Sequence, residues 1–223
     1  MFSTFYHSLV RKTVASFGTL FNNVYIERST TSGNKTQKIK VPLSYAPKER
    51  MFHRLNIGPD MQQAYSTQIV LPRMSFAITG MEYDAERKRN LIQKRYSINS
   101  NNQVKYHYSE VPYNIQFSLY SYVRNVDDGL QIVEQILPYF NPQFNITIKP
   151  DILSDTNERL DIPIVLGQII PTENYEGNLK DDLHRVLTWE LQFTAKVNLY
   201  GPVKDTGLIN NIDINLFTWD ENE

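Results

Sequence analysis

From Leu187 to Leu199 the chain alternates without a break. Leu187, Trp189, Leu191, Phe193, Ala195, Val197 and Leu199 occupy one side of a period-two pattern, and Thr188, Glu190, Gln192, Thr194, Lys196 and Asn198 occupy the other. Successive side chains of a β-strand point to opposite faces, so this stretch reads as a strand with one face in a core and the other toward polar surroundings. At ~3.3 Å per residue it is roughly 40 Å long. That exceeds the usual strand, which predicts a bend or an extension beyond its own domain.

Other segments supply neighbours for it. Met74, Phe76 and Ile78 alternate with small or polar residues; Ile115, Phe117, Leu119 and Val123 share a face opposite Asn114, Gln116, Ser118 and Tyr120. Phe144-Ile146-Ile148 and Leu160-Ile162-Ile164-Leu166 give two more strands. Shorter ones are expected at Val24 to Arg28 and around Ile39, Val41 and Leu43, with a turn at Ser32-Gly33-Asn34 between them. Pro42 makes the latter an edge strand, because proline cannot donate to a ladder.

Two stretches change period from two to 3.6. Phe2, Phe5, Tyr6, Leu9, Val10, Val14, Phe17, Leu20 and Phe21 predict an N-terminal amphipathic helix of about five to six turns. In Asp127 to Asn145, Asp127 and Asp128 sit where a helix start favours negative charge and a cap, and Ile132, Val133, Ile136 and Leu137 form an apolar stripe. Pro138 ends that helix, and Pro142 keeps the exit extended. A short helix is expected over Lys48 to Asn56. The fold class is α+β: a mostly antiparallel mixed sheet packed by the N-terminal helix and by the second helix near 127–138.

Composition narrows the function. The 223 residues suffice for a substantial core and carry a formal net charge of −1, without the basic excess of a dedicated DNA-binding surface. There is no cysteine, hence no disulfide, thiolate metal site or cysteine nucleophile. No apolar run approaches the ~20 residues of a membrane helix, and Arg11 and Lys12 interrupt any secretory signal. His7, His53, His107 and His184 show no metal-ligand spacing and read as surface or interface residues. No nucleophile elbow or phosphate-binding glycine loop is present, so no catalytic site, metal or cofactor is expected.

Two segments stand out as contact candidates. Tyr139, Phe140, Asn141 and Pro142 lie between two prolines, which hold aromatic residues in a rigid projecting conformation at low entropic cost; plain core packing of the two aromatics is the competing account. Arg87, Lys88, Arg89, Lys94 and Arg95 interleave with Tyr83 and Tyr96. Such a patch suits nucleic acid, but Glu82, Asp84 and Glu86 dilute it, which favours a solvated or protein-facing surface.

The wording of several blocks adds a resemblance. These blocks are MFSTFYHSLVRK at the start, Leu20 to Glu49 with its SG-K and VP--YA-KE pattern, IVLPRM at Ile69 to Met74, DDGLQIVEQILPYFNPQFN at Asp127 to Asn145, and Arg185 to Val203 with a central Trp-Glu. In this order, across nearly the whole chain, they resemble the tail sheath stabiliser (tail completion) family of T4-type contractile phages. The segment Asp84 to Tyr108 matches poorly. Family members carry a long acidic C-terminal extension, whereas this chain ends at Glu223.

The resemblance implies a tail-terminator-like single domain over 1–223, with a variable hairpin or loop at 84–108. It implies a structural virion protein rather than an enzyme, assembled in the host cytoplasm. It further implies a homohexameric ring at the head-proximal end of the tail, with tail sheath protein, tail tube or tube-terminator protein and neck or head-completion protein as partners. Genomic DNA would pass the lumen without specific binding, and no membrane would be involved. The interface residues carried with this reading are Tyr139, Phe140, Asn141, Pro142, Arg87, Lys88 and Arg89. Another head–tail connector or tail-tube terminator component is the alternative, and a virion-associated hydrolase a more distant one.

Overall fold

The computed structural model describes residues 4–29, 36–51, 71–98, 104–150, 159–174 and 186–206. Its centre is a six-stranded sheet in the order β3-β4-β7-β10-β9-β8, made of β3 (Leu43–Tyr45), β4 (Arg73–Tyr83), β7 (Val111–Val123), β8 (Gln143–Ile148), β9 (Leu160–Asn174) and β10 (Val186–Leu199). All neighbours are antiparallel except β3 and β4. The long alternation of the sequence is β10, the inner strand between β7 and β9, and it pairs with β7 continuously from Leu187–Val123 to Leu199–Val111. Two register shifts interrupt the sheet, one between Ile78 and Gly80 on β4 and one opposite Leu191 and Phe193 on β9. An extra residue bends a strand locally, which is how strands of this length curl around a core.

Helix α1 (Leu9–Leu20) and helix α2 (Val126–Ile136) cover one face. Leu9, Thr13 and Phe17 recur at four-residue steps and form the buried side of α1. Phe17 is fully buried, stacks on Phe117 at 4.4 Å between ring centroids, and meets Phe193 edge-on. Removing a ring so placed costs about 3–5 kcal/mol. The helix is shorter than expected, because Ser8 adopts a left-handed backbone (φ 49°) that breaks helical continuity, and Phe5 and Tyr6 before it are exposed. Leu137 also departs from expectation. It leaves the stripe of Ile132, Val133 and Ile136 because the helix tightens into a 3-10 turn over Leu137–Tyr139, which rotates it to the surface.

The expected edge strand around Pro42 is two strands. β2 (Thr36–Lys40) pairs with β1 (Tyr25–Ser29) in a separate hairpin, and after Val41 and Pro42 the chain joins the main sheet as β3. The turn at Ser32-Gly33-Asn34 lies outside the described residues, as does most of the Lys48–Asn56 helix, of which residues 48–51 are helical. β5 (Lys94–Ile98), β6 (Val104–Tyr108) and β11 (Lys204–Thr206) form a small third sheet.

The other face of the main sheet is less polar than the alternation implies. Tyr120 and Tyr122 there are buried with Ala46 and Met51, and Leu71 and Val186 pack alongside. The tyrosines supply apolar rings that a polar-looking pattern conceals. Among the described residues no helix is long and apolar enough to cross a membrane.

Candidate interaction surfaces

Helix α2 is held at its outer edge by an unusual clasp. Gln135 Nε2 donates to Tyr25 O (2.6 Å) and its Oε1 accepts from Tyr25 N–H (3.3 Å). One turn earlier, Gln131 does the same to Glu27 (3.1 and 2.8 Å). Two side-chain amides thus stand in for a missing strand along β1, satisfying backbone groups on the edge that β2 does not use. Arg28 extends the row, donating to Asp128 through Nε (3.3 Å) and Nη2 (2.6 Å). Asp128 is buried, and this pairing holds the Arg28 guanidinium above its ordinary pKa. Asp127 and Asp128 do occupy the first turn of α2, as expected, but neither makes a capping hydrogen bond at the N-cap, which is Asn125. Asp127 instead accepts from Gln131 (3.0 Å).

The exit from α2 divides its two aromatics between the competing accounts. Tyr139 is 68% exposed. Phe140 turns inward against Phe193 (5.1 Å), Phe144 (6.0 Å) and Phe21 (6.3 Å). Asn141 and Pro142 are exposed.

The basic residues fall at the opposite end of β7, and most of their donors are engaged within the chain. Arg87 bonds Asp84 Oδ2 (2.6 Å), Asn114 Oδ1 (3.0 Å), Tyr113 O (3.3 Å) and Asn198 Oδ1 (3.4 Å). It therefore ties the loop after β4 to β7 and β10. Asp84 also accepts from the backbone N–H of Glu86, and the Arg87 contact, foremost, draws its carboxyl below the ordinary value. Arg89 and Arg95 share one oxygen of the buried Glu110. Lys94 lies over the Tyr106 ring at 4.8 Å, and Lys88 is exposed.

Of the histidines, His107 is buried rather than superficial, lying edge-on to Tyr200. His7 Nε2 is 2.9 Å from Gly201 O, a carbonyl that can only accept, so this nitrogen is the donor. His53 and His184 lie outside the described residues. Among the described residues no group of three or more His, Asp or Glu is placed to hold a metal ion.

Sequence reasoning missed the exposed apolar residues Val126 (46%) and Leu130 (49%) on α2, and Leu91 (66%) and Ile92 (81%) in the loop after β4. A signal for the first pair existed: Val126 and Leu130 are four apart and lie off the buried stripe.

The fold is α+β, with a long curled, mostly antiparallel sheet covered on one face by α1 and α2. A family model described as T4-like virus Myoviridae tail sheath stabiliser matches residues 4–223, so the chain belongs to that family, whose members are structural tail proteins of the phage virion. It is similar to a protein of Enterobacteria phage T4 named "Tail completion protein gp15", with 34% identity over 214 residues that cover 94% of this chain and 77% of the relative. The family places the chain in a phage tail and implies contact with tail components.

Proposed function

We propose that the chain forms a homohexameric ring capping the head-proximal end of a contractile tail. The ring sits on the last layer of tube and sheath, stabilises the extended sheath, and offers its other face to the neck or head-completion protein. Family membership across residues 4–223 carries this reading. The net charge of −1 accords with a lumen through which DNA passes without being held. Residues 1–223 act as one domain, and 84–108 is the part adapted to this protein's own partners. Tyr139, Asn141, Pro142, Lys88 and Arg89 are the exposed members of the proposed contact set, whereas Phe140 and Arg87 act mainly by supporting them.

The test is the mass of the purified protein in solution, with negative-stain images of the protein alone and bound to purified tails. Six copies around an open centre, at one tail end, are expected. A protein that neither forms a ring nor binds and stabilises tails would overturn the reading.

A further inference from the structure

The two ends of β7 carry different apolar patches of opposite charge. At the start, a tight turn in which Gln93 N–H donates to Asn90 O and Ile92 N–H to Asn90 Oδ1 presents Leu91 and Ile92 to solvent. Tyr96, 63% exposed, lies in the adjoining strand β5. Residues 82–110 contain six Lys or Arg against four Asp or Glu. Arg89 and Arg95 share the one carboxylate of Glu110, so among the described residues their two guanidinium charges meet a single negative charge. At the far end, α2 begins at Val126, directly after β7 closes at Val123. Val126, Leu130 and Tyr139 are exposed, with Asp127 and Glu134 three residues before and four after Leu130. Residues 124–140 hold one Arg, already engaged within the chain, against three Asp or Glu; Asp128 is buried and paired with Arg28, so the exposed Asp127 and Glu134 carry the negative rim.

We infer that these patches are the two halves of one subunit contact, in which the acidic α2 face of one copy, centred on Leu130, seats against the basic turn around Ile92 of the next. Each patch is apolar at its centre and charged at its rim, as interfaces are. Pairing either patch with its own kind would oppose like charges, whereas pairing them with each other opposes unlike ones. The thirteen residues of β7 hold them roughly 40 Å apart. One copy therefore cannot satisfy its own patches, and a chain of copies joins head to tail. Contacts of this heterologous kind close into rings when the rotation between subunits permits. The inference rests on the ring reading above and specifies its interface.

The absence of cysteine makes the test direct. Leu130→Cys and Ile92→Cys are introduced separately and together, and the full chain is treated with a short bismaleimide, free and bound to purified tails. Thermal unfolding of each variant checks that it folds. The double variant should give a ladder of covalent multimers, while each single variant stays at monomer mass. Cross-linked dimers from either single variant, or a cross-link from Leu130→Cys to another tail protein, would overturn the head-to-tail contact. A ring with no ladder would overturn this contact and leave the ring reading standing. A protein that remains single both in solution and on tails would bring down both.

Discussion

Gly129 of α2 lies against the indole of Trp189 on β10: a Cβ added there would meet the ring, coming within 2.9 Å of Cδ1 and closer still to Nε1. The missing side chain lets the helix approach the strand more closely than any other residue would allow. Gly129→Ala sets two effects against each other. The helix interior gains roughly 0.5–1 kcal/mol on losing a glycine. Overpacking costs about 1–3 kcal/mol, because both neighbours belong to regular elements that cannot yield easily. Overpacking wins, so thermal unfolding should fall by on the order of 2–8 °C. Combining it with Trp189→Leu should give less destabilisation than the two changes added together. An unchanged or raised midpoint for the single variant would contradict the close approach.

The glutamine clasp predicts a local effect rather than a global one. Gln135→Ala removes both bonds to Tyr25, and Gln131→Ala both bonds to Glu27. These groups are exposed, so water replaces the lost partners and each substitution costs only about 0.5–1.5 kcal/mol. Amide hydrogen exchange should speed up at Tyr25 in the first variant and at Glu27 in the second. The Val41 amide bonds Val24 O, on the other side of the hairpin, and should keep its protection. Uniform acceleration along both β1 and β2 would mean that the clasp holds the whole hairpin rather than one edge.

These two relationships differ in how far the sequence discloses them. The strand at Leu187–Leu199 and the helix after Asp127 were legible because periodicity is a property of consecutive residues. So was the stripe of Ile132, Val133 and Ile136. The break at Ser8 was not, since an apolar helical pattern continues through it and only the backbone angle reveals the stop. Neither was the clasp, in which residues 25 and 27 meet residues 135 and 131 across more than a hundred positions. For the candidate contacts, the sequence singled out segments but not which side chains they expose: Tyr139 and Phe140 are adjacent and part ways only at a 3-10 turn. Arg87 reads as surface charge until Asp84, Asn114 and Asn198 are brought around it.

That convergence predicts a response to acid. Arg87 holds the Asp84 carboxyl below its ordinary 3.8, so in the folded protein Asp84 takes up its proton later as pH falls. Between the ordinary value and the lowered one, the unfolded chain binds more protons. The stabilisation is therefore complete at neutral pH and is lost as pH falls below the ordinary carboxylate range. Asp84→Asn should lower the urea midpoint at neutral pH, and the gap from wild type should narrow at acid pH. A gap that is constant with pH would show that the contact acts through shape and neutral hydrogen bonds alone.

At the alkaline end the sensitive group is Tyr122. It is fully buried on the second face of the sheet, with its hydroxyl 3.3 Å from Ser75 Oγ. Burial, above all, pushes the phenol well above its ordinary 10, and the nearby Tyr120, Glu49 and Glu190 add to this. With the folded value raised, the unfolded chain loses its proton first as pH rises. The contribution is complete below about 10 and disappears above it. Tyr122→Phe should cost about 0.5–1.5 kcal/mol at neutral pH, since Ser75 loses a partner. It should also flatten the fall in stability above about pH 10. Some slope should persist, because Tyr120 is shifted in the same direction by its own burial. Denaturant midpoints followed from neutral to strongly alkaline pH test this, and equal slopes for the two proteins would refute Tyr122 as the source.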